Sequence, residues 1–219
     1  MNAKTKRLTT TGVLIALGTI LSLVKVFEWF FGGSITLASM VPLCVLGYMY
    51  GVKWGLFSGF IFSVIQAILG ATSSQAFAGM YDSENPTKSV LQIVAMALLD
   101  YIVAFSVIGL SGMFKNKIKN PTASIALGSG VAVLLRLAAH FLSGFILWGS
   151  YAEWFFTDVM ANGSGEKILN TFSGNALAAL YSLIYNAAYM IPELIITVVV
   201  VVVLMSVKPL RKYIVNTEA

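Results

Sequence analysis

Six stretches of this chain carry almost no charge and are long enough, or nearly so, to cross the ~30 Å hydrocarbon core of a bilayer at ~1.5 Å per helical residue. They cover residues 8–27, 35–50, 54–69, 90–114, 123–148 and 176–207. None has the period-two alternation of a membrane-spanning strand, so the pattern predicts helices and not a β-barrel. The composition agrees: of 219 residues, 58% are apolar and 11% charged, whereas a soluble domain carries roughly a quarter charged residues. A water-soluble globule of this length could not hide so much apolar surface. The expected fold class is an all-α integral membrane protein, a bundle of six transmembrane helices forming one domain over residues 1–219. The first stretch has a basic lead but no small-residue cleavage site before Lys25 and Phe27, so it reads as a retained helix and not a signal peptide.

Charge sets the orientation. With six spans, Lys4, Lys6, Arg7, Lys53, Lys115, Lys117, Lys119, Lys208, Arg211 and Lys212 share one side with both termini. The other side holds only Lys88 and Lys167, with Glu28, Asp82, Glu84, Glu153, Asp158 and Glu166. The positive-inside rule then puts both termini in the cytoplasm. It also accounts for the formal charge of +5 without nucleic acid. The outer loops, 71–89 and 149–175, are long and carry aromatics such as Phe77, Tyr81, Trp154 and Phe155, as loops capping an outward-opening pocket would.

Several chemistries drop out. Cys44 is the only cysteine, so no disulfide framework exists. One cysteine and one histidine on distant segments do not make a metal-ligand set, so no metal is expected. There is no phosphate-binding P-loop, so the chain does not hydrolyse ATP itself.

Ionisable groups inside spans are costly and mark function by default. Those here are Lys25, Asp100, Arg136, His140 and Glu193. Lys25 falls near the outer end of its expected helix and can reach water. Glu193 follows Pro192, where it can solvate a kink or pair with a cation. Arg136 and His140 are four apart and share a helix face, and Trp148 lies eight beyond His140. Tyr181, Tyr185 and Tyr189 recur every fourth residue, with Asn186 beside them, which packing alone could also explain. Together these groups fall in the outer halves of the fourth to sixth spans. One carboxylate, aromatic faces and hydrogen-bonding groups suit a small cationic heteroaromatic ligand.

The same residues carry a resemblance. The runs from Gly32-Gly33-Ser34 to Met40-Val41-Pro42, Leu98-Leu99-Asp100-Tyr101-Ile102, Arg136 through His140 to Trp148-Gly149-Ser150-Tyr151, and Tyr181-Ser182-Leu183-Ile184-Tyr185-Asn186 resemble the thiamine-specific substrate-binding (S) subunit of energy-coupling factor transporters. The resemblance implies a multi-pass protein of the prokaryotic cell membrane that captures thiamine from outside. It also implies partners, a transmembrane coupling subunit and two cytoplasmic ATPase subunits, and no cofactor of the chain's own. The ligand contacts it implies are Asp100, Tyr101, His140, Trp148, Tyr181 and Asn186, with Trp29 and Tyr185 as further candidates. Departures accompany it: Asp100 stands where some members have Glu, and Gly33 falls about where some carry Trp, with Trp29 out of register. The stretch around residues 81–88 is long. Gly12 and Ala16 form the small-x-x-x-small pair on which such subunits dock, and small residues do let membrane helices approach closely. The same architecture for another vitamin remains open, because a fold does not fix a ligand. An intramembrane enzyme is disfavoured, since no second carboxylate is expected at the depth of Asp100.

Overall fold

The computed structural model describes residues 2–29, 32–73, 76–77, 80, 86–160 and 163–217. Helix α1, Ala3–Leu23, starts where the Asn2 side chain accepts a hydrogen bond from the Thr5 backbone N–H at 2.8 Å, satisfying one of the otherwise unpaired first-turn donors. Strands β1 (Lys25–Glu28) and β2 (Ser34–Thr36) then pair antiparallel. Next come α2, Val41–Tyr50, and α3, Val52–Ser73. Helix α4, Pro86–Met96, runs on through a π-helical stretch, Ala97–Val103, and ends in a 3-10 turn at Val107–Gly112. Asn120 caps α5, Pro121–Leu147, accepting from the backbone N–H groups of Thr122 and Ala123. After short turns and α6, Ser164–Thr171, come the long α7, Gly174–Ser206, and α8, Lys208–Asn216.

Among the described residues, four rods are long and apolar enough to span a membrane: Val52–Thr72, Ser89–Gly112, Pro121–Leu147 and Gly174–Ser206. Their outward faces carry exposed Phe60, Leu91, Leu98, Ile146 and Ile195, the surface that lipid solvates. Two of the six expected stretches fold otherwise at their ends. The first helix stops at Leu23, so Lys25 is not on a helix; it lies in β1 and pairs with Glu28 at 2.6 Å. The second stretch begins as strand β2, and only Val41–Tyr50 is helical. Every residue of α2 is buried, as befits a helix apolar on all sides. Ten residues rise only ~15 Å. Expectations resting on residues 81–85, including the loop charges Asp82 and Glu84, lie outside the described residues.

The half of the bundle nearest the α2–α3 turn is packed through glycines. A Cβ on Gly47 of α2 would come within 2.6 Å of the Gly109 carbonyl oxygen, and one on Gly59 of α3 within 2.8 Å of that of Ser106. Gly109 abuts the Gly55 backbone just as closely. In lipid such close approach gains dispersion and interhelical polar contacts, including Ser111 Oγ donating to the Cys44 carbonyl at 2.8 Å. Lys115 Nζ donates to the Met49 carbonyl at 2.8 Å, capping the C-terminus of α2. Gly109→Ala should therefore cost about 1–3 kcal/mol through overpacking, lowering the unfolding midpoint in detergent. Gly12→Ala, whose Cβ would meet nothing within 4 Å, should leave the midpoint unchanged or slightly raised.

Candidate ligand-binding site

The opposite half is hollow. Its cavity lies among the end of α1, the residue 32–36 hairpin arm, α3 near Gln66 and Gly70, the π-helical stretch of α4, and the facing sides of α5 and α7. Asp100, Tyr101, His140, Trp148, Tyr181, Tyr185 and Asn186 all line it. Trp29 does not; its ring packs edge-on against that of Tyr185, centroids 6.4 Å apart, and backs the wall.

The carboxylate of Asp100 sits on the π-helical turn, where the extra residue per turn breaks the regular ladder, a distortion frequent at functional sites. It accepts hydrogen bonds from His140 Nδ1 at 2.8 Å and Ser143 Oγ at 2.6 Å. On the far side of the ring, Arg136 Nε donates to His140 Nε2 at 3.2 Å. Because Nε2 accepts, the ring proton is on Nδ1 and points at Asp100, which makes the imidazole neutral. The Arg136 guanidinium stacks over Phe105 at 4.1 Å and donates to Met40 Sδ at 2.8 Å. Arg136 and Asp100 are thus joined through His140.

Asn186 ties α7 to α5. Its amide nitrogen donates to the carbonyls of Ser182 at 2.9 Å and His140 at 3.2 Å, and its oxygen accepts from Tyr189 at 2.6 Å. Phe155, Tyr181, Tyr185 and Tyr189 form a chain of rings with centroids 5.2 to 5.9 Å apart. These are edge or tilted contacts, the arrangement that aromatic quadrupoles favour.

Three features were not anticipated as site components. Glu193 lines the same cavity, so a second carboxylate is present where only one was expected. One of its oxygens accepts from the backbone N–H of Thr36 and from Thr36 Oγ1, the latter at 2.7 Å, while Oε2 has no hydrogen-bond partner among the described residues. The fourfold spacing of Tyr181, Tyr185 and Tyr189 continues to 193, and that was the available signal. Ser143, three beyond His140, could have been read on the same face. Gly33 is the third: a Cβ there would meet the Tyr189 ring at 2.7 Å, so the tyrosines occupy the space a larger side chain would need. Lys25 also lines the cavity and is offset by its partner Glu28, so Asp100 and Glu193 against the Arg136 guanidinium leave a formal single negative charge.

Comparison with known proteins identifies the family. The family described as thiamine transporter protein matches residues 8–155. This chain belongs to the thiamine transporter protein family. It is 30% identical over 187 residues to the thiamine transporter ThiT of Bacillus subtilis (strain 168), covering 81% of this chain and 78% of that one. A second ThiT, from Lacticaseibacillus paracasei, is 24% identical over 179 residues, covering 78% and 72%. A solved structure of ThiT from Listeria monocytogenes superposes with a TM-score of 0.62 at 20% identity, covering 95% of this chain and 97% of that one, and shows a shared fold. The thiamine transporter family makes this a multi-pass protein of the cell membrane and a transporter, not an enzyme.

For this thiamine transporter homologue, Tyr189→Phe keeps the ring but strands the Asn186 oxygen in a buried site. An orphaned buried acceptor costs about 1–3 kcal/mol. The unfolding midpoint of the purified variant should fall accordingly, with its helical circular dichroism unchanged at low temperature.

Proposed function

We propose that this chain is the substrate-binding subunit of an energy-coupling factor importer and binds thiamine in the cavity between α4, α5 and α7. The observation that carries this reading is the singly negative, aromatic-walled cavity of a thiamine transporter family member. Thiamine is a singly charged heteroaromatic cation with an amino group, which that charge and those faces complement. In this reading Asp100 receives the donor groups of the ligand, since each carboxylate oxygen keeps a free acceptor position beyond its bond to His140 or Ser143. Trp148 and the tyrosines supply ring faces, while His140 and Asn186 hold the hydrogen-bonding edge.

The chain has six crossings in this reading, with α1 and the hairpin-to-α2 segment completing the four long rods, and both termini are cytoplasmic. The distribution of Lys and Arg supports it. Transport against a gradient then needs an ATP-driven partner, a transmembrane coupling subunit carrying two ATPases, because no nucleotide motif is present. The docking face is the outward side of α1, where Gly12 and Ala16 are exposed beside Val13 and Leu17.

Two measurements test this. Titrating thiamine against intrinsic tryptophan fluorescence should give saturable quenching that Trp148→Ala largely removes, with affinity lowered about ten-fold, the worth of a desolvated ring contact. Asp100→Asn preserves an acceptor for His140 but deletes the charge, and should lose at least about ten-fold in affinity. Unchanged affinity in both variants, or equal competition by riboflavin or biotin, would overturn the thiamine assignment. Separately, Gly12→Leu with Ala16→Leu should leave thiamine binding intact while abolishing co-purification with the coupling subunit and uptake. Normal assembly of that double variant would move the docking face elsewhere.

A further inference from the structure

At the end of the molecule remote from the thiamine cavity, α8 folds back against the first turns of α1, with Thr10 Oγ1 and the Tyr213 hydroxyl 3.2 Å apart. Between them is a hollow lined by Lys6, Arg7, Tyr50, Lys212, Tyr213 and Asn216, and none of the described residues lining it carries a carboxylate. Its three cations have no ion-pair partner among the described residues, where the only pairs are Lys25–Glu28 and His140–Asp100. Two of them are held in place. The Arg7 guanidinium lies 3.9 Å over Trp54 and 5.1 Å over Tyr50, and Trp54 is itself fixed by donating to Thr11 Oγ1 at 2.9 Å. Lys6 Nζ lies 5.1 Å over Tyr213. The buried Nε of Arg7 has no hydrogen-bond partner among the described residues. A guanidinium held over aromatic rings in this way still has its N–H donors for an acceptor.

We propose that this hollow is a binding site for the phosphate of an anionic phospholipid headgroup. Like-charged side chains gathered without a counter-ion repel one another, and a phosphate oxygen cluster is the chemistry that relieves this with charge-assisted hydrogen bonds. The surroundings select a lipid as the source. Helix α8 follows the membrane-spanning α7 after a single residue, Val207, and buries Ile214 while leaving Leu210 and Tyr213 exposed. An apolar and aromatic rim beside lysines is the pattern of a helix lying in the headgroup layer. At ~100° per residue, Arg7 and Thr10 also lie about 120–180° around α1 from Gly12 and Ala16, and Lys6 about 80–120°. The lipid site and the proposed docking face are therefore separate surfaces of one helix.

The test uses the full chain purified in detergent, titrated with phosphatidylglycerol or phosphatidylcholine and read by native mass spectrometry and by the unfolding midpoint. Phosphatidylglycerol should be retained preferentially and should raise the midpoint. Lys6→Gln with Lys212→Gln, both at exposed positions, should weaken that retention about ten-fold or more, since each such cation contributes on the order of 1 kcal/mol at an anionic membrane surface. The lipid-free midpoint should not move. Lys53→Gln with Lys119→Gln removes equal charge outside the hollow and should leave retention unchanged. Equal retention of the two lipids, or equal loss in the control variant, overturns the proposal. So does inorganic phosphate raising the midpoint as much as phosphatidylglycerol, because the ligand would then be a soluble anion. Loss of co-purification with the coupling subunit at unchanged lipid retention would make the hollow a protein contact, and also overturns it.

Discussion

Everything in the hollow half of the bundle depends on keeping Asp100 and Arg136 compatible with an apolar surround. A charge facing hydrocarbon without partners costs several kcal/mol. Here the two are linked by His140, which donates to one and accepts from the other. That relay fixes the π-helical turn of α4 against the middle of α5. Asn186 fixes α7 to the same stretch of α5 by reaching the His140 carbonyl. Glu193 in turn holds β2 through Thr36. Two groups of polar contacts, one centred on His140 and one on Glu193 and Thr36, thus position three helices and the hairpin around the cavity.

The other half does the reverse job. Where glycines line the seams between α2, α3 and the end of α4, the backbones come too close to admit even a Cβ at Gly47, Gly55, Gly59 and Gly109. A membrane bundle gains nothing from burying apolar groups against each other instead of lipid, so association must come from close packing and polar contacts. Glycine seams provide the first and the site network the second. The rigid half allows the other half to stay hollow without collapse.

Long apolar runs made four rods legible in the sequence, because a spanning helix must satisfy its own backbone and so declares itself by length alone. The segment from Lys25 to Thr36 was not legible. Its strands are four and three residues long, and their apolar residues simply extended the neighbouring runs. The central α2 looked like part of a spanning stretch for the same reason. In the site, spacing at four and eight found the residues on single helices: Arg136, His140, Trp148 and the tyrosines. It could not find contacts between segments distant in the chain. That is why Glu193, whose partner Thr36 is 157 residues away, read as a group solvating a kink or pairing with a cation and not as part of the cavity. The Gly33 position shows the same limit in reverse. A missing large side chain there looked like a loss, yet Tyr189 and Tyr185 fill that volume from the far side.

The charge balance of the cavity bears on why the proposed importer needs an energy source. Empty, and with Lys25 offset by Glu28, the site holds two carboxylates and one guanidinium, a formal single negative charge within a poorly polarisable surround. A singly charged cation entering it brings the balance to zero. Coulomb attraction weakens with the effective dielectric constant, so a charge is matched more strongly here than in bulk water. Loading therefore removes the one unmatched charge, and release must restore it. Restoring it is least costly once water can reach Asp100 and Glu193. Glu193 is buried where it holds Thr36 of the hairpin, while Asp100 is partly exposed on the cavity wall. In the proposed importer, then, capture needs no help and release follows displacement of the elements around Glu193. Displacing α1 and the hairpin that follows it would uncover Glu193. In the proposed assembly, α1 is the element within reach of a coupling subunit.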